Sequence, residues 1–184
     1  MNTEGLHIDQ SGSKTSLAIT EMKPSDCGVL FYRERPSDLE LLPSDIDEAY
    51  LMSSKGVLLS GTAFSRNPSR ESCFKVLEMA KGKIKVVFDL DYRVSAWNKV
   101  EEAASMYKEA CLKSDIIIGN TEELSLLGKG DVEKNIKNLR YFSSQILLSS
   151  TLPSNAKTAA LNPNNLLCGT SSILRLIAIK AFSQ

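Results

Sequence analysis

The chain has 184 residues, of which 42% are hydrophobic and 24% are charged, a balance typical of a globular protein with a buried core. Its 22 Lys and Arg residues equal its 22 Asp and Glu residues, so no net positive charge attracts nucleic acid or an anionic membrane. No apolar run reaches the roughly 18 residues of a membrane-spanning helix, and the N-terminus lacks the features of a secretion signal. We therefore expect neither nucleic acid nor a membrane as a partner.

The cysteines indicate the cellular compartment. Cys27, Cys73, Cys111 and Cys168 are far apart and form no Cys-x-x-Cys pair, and His7 is the single histidine. This pattern argues against a zinc site and favours reduced thiols in the cytoplasm. It also argues against catalysis by a Ser-His-Asp or Cys-His arrangement, because the one histidine lies in a polar N-terminal stretch.

Two β-rich runs come first in the chain, at 15–20 and 28–33. The Lys-Pro-Ser-Asp sequence between them is typical of a turn, so the two runs predict an antiparallel hairpin.

The centre of the chain shows a different pattern. Short apolar runs predict strands near 57–60, 84–89 and 115–119, and helical periodicity predicts helices over 68–81 and 99–112.

Strands that recur about every 30 residues with a helix between them are typical of βαβ units. The predicted fold is therefore α/β, with a parallel sheet, right-handed crossover helices and a small antiparallel β lid. Asn67 is expected to cap the first of these helices, with Pro68 at its first position and Gly82 as its stop signal. Three apolar residues indicate a further helix: Val132, Ile136 and Leu139.

The composition changes after residue 143. From 144 to 184 there is no acidic residue, and the only charges are Lys157, Arg175 and Lys180. The sequence thus predicts three segments: a lid hairpin with its connection at 1–50, an α/β core at 51–143 and a divergent tail at 144–184.

Ligands of open parallel sheets bind beyond the carboxyl ends of the strands, so the loops after the three predicted strands are the candidate site. These loops contain Ser60-Gly-Thr62, Asp89-Leu-Asp-Tyr-Arg93 and Gly119-Asn-Thr-Glu-Glu123. There is no Gly-x-Gly-x-x-Gly sequence and no P-loop sequence, so neither kind of nucleotide motif is supported.

Each candidate in these loops has a functional and a structural interpretation. The carboxylates of Asp89 and Asp91 can hold hydroxyls while Arg93 binds a phosphate or carboxylate, or the three residues form a structural ion pair with Asp89 capping the next turn. Asn120 and Glu123 can position a hydrated Mg²⁺, or they form the cap of a helix.

The end of the hairpin is a further candidate. Tyr32 and Arg33 either contact substrate from the lid or form an exposed strand end.

Three segments, taken in this order and spacing, resemble the ribokinase/PfkB family of carbohydrate kinases: Leu59–Ala63, Val87–Arg93 with Trp97, and Ser114–Glu123. Within that family the resemblance is greatest to the inositol-catabolism branch, which phosphorylates 5-dehydro-2-deoxy-D-gluconate. Four segments carry it: Ser25–Cys27, Leu30–Arg33, Pro43–Tyr50 and Asn67–Glu71. The resemblance extends from about Lys14 to Leu127.

The resemblance implies ATP as phosphoryl donor, Mg²⁺ as cofactor and a small sugar acid as substrate. It implies that Tyr32 and Arg33 face the sugar from the lid and that Asp91 and Arg93 bind the sugar acid. Asn120 and Glu123 would then organise Mg²⁺ and the phosphate charge of ATP. A homodimer formed through the lid is also expected.

The chain also departs from the family. It has neither the N-terminal strand with its substrate-binding Asp nor the Gly-Gly-x-x-x-Asn segment, and it has no Gly-Ala-Gly-Asp motif to supply the anion hole and the base. No catalytic residue is assigned for this reason. We expect a truncated or frame-disrupted kinase that is inactive as it stands. The alternatives are a non-catalytic remnant that binds a sugar acid or a protein, and a structural fragment without a ligand.

Overall fold

A computed structural model describes residues 3, 5–21, 28–128, 134–135, 138 and 145–148. The hairpin consists of β1 (Leu17–Glu21) and β2 (Gly28–Tyr32). The two strands are antiparallel, with Leu17 opposite Tyr32 and Glu21 opposite Gly28. The predicted hairpin is thus confirmed.

In the part of the chain that the structure describes, the main sheet has four parallel strands in the order of the chain: β3 (Gly56–Ser60), β4 (Lys85–Asp89), β5 (Ile116–Gly119) and β6 (Gln145–Leu148). The parallel pairing predicted for β3, β4 and β5 is confirmed. Val57, Phe88 and Ile117 are fully buried. Apolar strands of this kind are typical of a parallel sheet covered by helices.

The helices with fully described bounds are α1 (Glu48–Met52), α2 (Ser69–Ala80), α3 (Val100–Leu112) and α4 (Thr121–Ser125). The crossover helices α2 and α3 lie where the periodicity predicts them. In α3, Ala103, Tyr107 and Cys111 form the buried face, each with no exposed surface. This is the spacing of a helix packed on one side against a core.

The predicted cap of α2 is wrong at one position. The residue before the helix is Pro68, whose side chain makes no capping hydrogen bond. Asn67 lies one residue too early to cap, and its amide instead donates a hydrogen bond to the Glu71 carboxylate at 2.5 Å. The expected stop signal holds, because Gly82 follows the helix with a φ of +70°, a conformation that favours glycine.

Aromatic rings fill the space between the sheet and its helices. Phe64, Phe88 and Trp97 meet in a series of edge-to-face contacts in which Tyr107 packs against both Phe88 and Trp97. Trp97 is 9% exposed and is a packing residue, as predicted.

The two described cysteines belong to the same core. Cys73 and Cys111 are free and buried, and burial raises the pKa of each thiol to about 12.

Parts of the sequence-based prediction fall outside the described residues. These include the helix expected from Val132, Ile136 and Leu139 and most of the tail at 144–184. The boundaries of the three predicted segments stay a prediction, although β6 begins at Gln145, inside the predicted tail. Within the described part of the chain, no helix is both long and apolar enough to cross a bilayer.

Candidate functional site

The register of the sheet brings the candidate loops to one edge. Ser60 is paired with Asp89, and Asp89 is in turn paired with Ile118 on the next strand. Because the three strands are parallel, their carboxyl ends are level with one another. The four core residues predicted for the site follow β4 and β5 directly and lie at this edge: Asp91, Arg93, Asn120 and Glu123.

Asp91 is held from two sides. Its side chain is only 4% exposed. Its Oδ1 forms an ion pair with Arg93 Nη2 at 2.8 Å, and its Oδ2 accepts a hydrogen bond from the Ser60 hydroxyl at 3.0 Å. That hydroxyl has one proton, so the contact of 2.9 Å between it and Thr62 is donated by Thr62. The structural ion pair considered for Asp91 and Arg93 is therefore present.

The backbone at Asp91 is also unusual, with a φ of +34°. A non-glycine residue in this region costs free energy, which the surrounding contacts must offset. The bonds of Asp91 to Ser60 and Arg93 are contacts of this kind. The supporting role of Ser60 was not predicted from the sequence, and its position at the end of a strand was the only signal for it.

Arg93 links the main sheet to the hairpin. Its Nη1 donates to the Tyr92 carbonyl oxygen at 3.2 Å, and its Cζ lies 5.6 Å from the centre of the Phe31 ring on β2. The side chain remains 31% exposed. Arg93 is thus fixed near solvent with hydrogen-bond donors left over, which suits the binding of an anionic group.

Asn120 and Glu123 form a reciprocal cap at the start of α4. The Glu123 N–H donates to Asn120 Oδ1 at 2.8 Å, and the Asn120 N–H donates to Glu123 Oε2 at 3.0 Å. The other oxygen of Glu123, Oε1, accepts from the Tyr92 N–H at 3.1 Å. The capping interpretation is therefore present in the structure, and Glu123 also ties the loop after β4 to the loop after β5.

The charges at this edge perturb one another. Burial raises the pKa of the Glu123 carboxyl and the nearby Asp89 charge raises it further, while hydrogen bonds from Asn120 and Tyr92 and the Arg93 charge oppose the rise. Burial also raises the pKa of Asp89, again opposed by Arg93. The Arg93 charge thus opposes the rise in pKa of two partly buried carboxyl groups, and groups with perturbed pKa values are more frequent at functional sites.

The hairpin residues are placed differently from the core residues. The guanidinium of Arg33 forms an ion pair with Asp38, whose other carboxylate oxygen accepts from the Ser16 hydroxyl at 3.1 Å. Tyr32 is 55% exposed. Because side chains alternate along a strand, Tyr32 lies on the opposite face of β2 from Phe31. The structure thus brings Phe31 to Arg93, and Tyr32 and Arg33 lie elsewhere on the hairpin.

Gly61, in the loop after β3, packs closely against Leu90 and Tyr107. A Cβ atom at this position would lie 2.0 Å from the Leu90 carbonyl oxygen and 2.5 Å from the Tyr107 hydroxyl oxygen. Only glycine permits so close an approach between the loop after β3 and the loop after β4.

The carboxylates at this edge of the sheet suit a Mg²⁺ ion that is bound through its water molecules. Among the described residues, no group of three or more His, Cys, Asp or Glu side chains is arranged to hold a metal ion. Mg²⁺ typically keeps several waters and uses one or two carboxylates with substrate phosphates. Glu123, with Asp89 nearby, fits binding through water, since both Glu123 oxygens already accept a backbone hydrogen bond.

One sequence feature was missed. Gly128-Lys-Gly-Asp131 has the Gly-x-Gly-Asp spacing, although it follows directly after α4 and not in the C-terminal part of the chain. Residues 129–131 lie outside the described residues, so the structure gives this segment no role.

Comparisons with known proteins agree on one family. Residues 1–146 match the sequence profile of the pfkB family carbohydrate kinases. The chain is 43% identical over 154 residues to a protein of Halalkalibacterium halodurans named 5-dehydro-2-deoxygluconokinase, with 80% of this chain and 46% of that protein covered. A protein of the same name from Bacillus thuringiensis is 46% identical over 131 residues, with 70% and 40% covered. The chain thus spans less than half the length of these curated relatives.

Solved structures show the same fold. A fructokinase from Xylella fastidiosa with bound ATP superimposes with a TM-score of 0.67 at 22% identity, covering 77% of this chain and 45% of that one. A PfkB protein from Polaromonas sp. JS666 gives a TM-score of 0.63 at 18% identity, with 74% and 49% covered. Both likenesses concern the fold alone.

Proposed function

Because the chain belongs to the pfkB family of carbohydrate kinases, we propose that its site serves the ATP-dependent phosphorylation of 5-dehydro-2-deoxy-D-gluconate. The observation that carries this proposal is Arg93, a partly exposed guanidinium fixed by Asp91 near the partly buried carboxyl groups of Asp89 and Glu123. A fixed guanidinium can bind a carboxylate through two parallel hydrogen bonds, in bidentate fashion, and a sugar acid supplies such a carboxylate. The names of the relatives at 43–46% identity point to the same substrate.

Each site residue at the edge of the sheet then has a role. Arg93 binds the carboxylate of the sugar acid, and Asp91 holds Arg93 in place. On the lid, Phe31 is the residue that reaches Arg93, and Tyr32 and Arg33, which lie elsewhere on the hairpin, are assigned no contact with the sugar.

Asn120 and Glu123 hold a hydrated Mg²⁺, which when bound neutralises the phosphate charge of ATP. The contribution of the protein to such a reaction is mainly positioning and charge stabilisation. The free, buried thiols support a cytoplasmic setting, and the substrate would place the reaction in inositol catabolism.

We further propose that the 184-residue chain by itself does not turn over. It has no Gly-Ala-Gly-Asp motif, which in the family supplies both the anion hole and the base. Loss of a positioned base typically costs about 10²–10⁴ in rate, and loss of an anion-stabilising donor costs about 10²–10³. The chain on its own then acts as a sugar-acid binding module.

The test uses the purified chain with 5-dehydro-2-deoxy-D-gluconate. We expect calorimetry to detect binding that Arg93→Ala abolishes, and a coupled ADP-release assay to detect no turnover. If the chain does not bind the sugar acid, the proposed substrate class is wrong. Saturable turnover by homogeneous protein would contradict the proposed inactivity, and Asp89 and Asp131 would then be the first candidates for the base.

We propose a homodimer through the hairpin. Its outer face has two apolar cross-strand pairs, Leu17 with Tyr32 and Ile19 with Leu30, and each of these side chains is at least half exposed. A two-stranded sheet is marginally stable alone, so burial of this face against a second copy would stabilise it.

Light scattering tests the dimer. We expect a dimer that Leu30→Lys converts to a monomer, whereas Leu112→Lys, at a 50% exposed position on α3, does not. A monomeric wild-type chain would contradict the proposal.

A further inference from the structure

Phe31 is the point at which the hairpin meets the core site. Its ring lies 5.6 Å from the Cζ of Arg93, within the range of a cation–π contact. Phe31 is 39% exposed, whereas its neighbours Leu30 and Tyr32, on the outer face of the same strand, are each 55% exposed. The inner face of β2 therefore packs toward the loop after β4.

The base of the hairpin is anchored independently of this contact. Asp38 binds Ser16 before β1 and Arg33 after β2, and the Lys14 N–H donates to the Arg35 carbonyl oxygen at 3.0 Å. These bonds fix where the hairpin leaves the core. The position of the Phe31 ring is thus set by the fold and does not depend on Arg93 alone.

The Arg93 guanidinium is contacted from three directions: by the Asp91 carboxylate, by the Tyr92 carbonyl oxygen and by the Phe31 ring. A guanidinium has five N–H donors, and the contacts to Asp91 and Tyr92 leave donors over. The Phe31 ring, 5.6 Å from Arg93 Cζ, attracts the cation and limits where it can move without using any hydrogen-bond donor.

We propose that Phe31 is a positioning residue for Arg93, which it holds in the orientation that selects a ligand with a carboxylate over its uncharged counterpart. This inference rests on the proposed function, since it assumes that Arg93 binds the sugar acid. A partly exposed cation–π contact corresponds to about a two- to fivefold change in an equilibrium constant. The preference for the acid should change by that factor when the ring is removed.

The first measurement needs no ligand. The Nε–Hε resonance of Arg93, assigned by its loss in Arg93→Lys, is recorded by NMR in the full chain. We expect Phe31→Leu to shift it, because the ring current is lost, and Phe31→Tyr to leave it close to its original position. Val29→Ala is the matched control, because it removes apolar surface from the same face of β2 and leaves the ring in place.

The second measurement is selectivity, with D-gluconate and D-glucitol as probes that differ in one carboxylate. We expect the ratio of the two affinities to fall about two- to fivefold in Phe31→Leu and to stay unchanged in Phe31→Tyr and Val29→Ala. An unchanged ratio in Phe31→Leu overturns the proposal, and so does an equal fall in Val29→Ala.

The two measurements separate this proposal from the proposed function. If the wild-type chain shows no preference for the acid, the sugar-acid function is wrong. The positioning role of Phe31 is then tested by the Arg93 resonance alone. An Arg93 resonance that does not move in Phe31→Leu then overturns the positioning role, and one that moves supports it.

Discussion

Replacement of Gly61 by alanine is predicted to destabilise the fold through the site loops. The new Cβ would lie 2.0 Å from the Leu90 carbonyl oxygen and 2.5 Å from the Tyr107 hydroxyl oxygen. Both neighbours are fully buried, and the Leu90 N–H is bonded to the Ile118 carbonyl oxygen at 2.8 Å. The loop after β4 must therefore move by about an ångström or more, which places the cost at the upper end for overpacked cores, about 3 kcal/mol.

Urea unfolding followed by fluorescence measures this cost, because Trp97 is the single tryptophan and packs against Tyr107. In a chain of this length, about 3 kcal/mol corresponds to a melting temperature lower by about 6–12 °C. Gly82→Ala is the control. Its φ is +70° and its Cβ would meet nothing within 4 Å, so it costs only the backbone strain of about 1 kcal/mol. Equal losses in the two variants would refute the steric argument.

Two further predictions concern pKa values. The pKa of about 12 for Cys73 and Cys111 predicts that folded protein at pH 8 leaves both thiols unmodified by iodoacetamide, as read by peptide mass spectrometry; modification without urea would contradict this. Burial raises the pKa of Asp89 above its usual 3.8, so its charged form opposes folding at neutral pH. Asp89→Asn should therefore raise the melting temperature at pH 7, and the gain should shrink as the pH falls toward the pKa of Asp89. A gain that is constant with pH would show that the charge is not the cause.

The sequence predicts the fold well where one physical signal dominates. The strands of the main sheet are short apolar runs between polar loops, and β3, β4 and β5 begin and end within one residue of their predicted positions. Helix α3 is equally clear, because its apolar residues repeat with the helical period. In contrast, α1 has only five residues, too few to show a period, and its cap at Asp47 is not distinctive in sequence.

The site is predictable in part for the same reason. A parallel sheet brings the loops after its strands to one edge, so the common location of Arg93 and Glu123 follows from the fold class. The contact of Arg93 with Phe31 does not follow from the fold class. Phe31 lies about 60 residues earlier in the chain, and the contact depends on which face of β2 packs inward. The family resemblance pointed to Tyr32 and Arg33 at the end of the hairpin, whereas the residue of β2 that contacts Arg93 is Phe31.

Glu123 shows that a structural cap and a functional carboxylate can be the same group, and this leads to a last prediction. Its two oxygens accept N–H groups from Tyr92 and Asn120, at 3.1 and 3.0 Å. Glutamine has the same shape but only one accepting oxygen, so Glu123→Gln must set an NH₂ group against one of these N–H donors.

The cost of that donor–donor contact is one hydrogen bond to a charged group, about 1.5–3 kcal/mol. Burial raises the pKa of Glu123, so removal of its charge offsets part of this cost and the net loss should lie toward the lower end. Glu122→Gln on the exposed side of α4 serves as the control and should cost close to nothing. Urea unfolding measures both variants, and hydrogen exchange at the Tyr92 and Asn120 amides shows which bond is lost. If Glu123→Gln is as stable as Glu122→Gln and neither amide exchanges faster, the Glu123 carboxylate does not join the two loops.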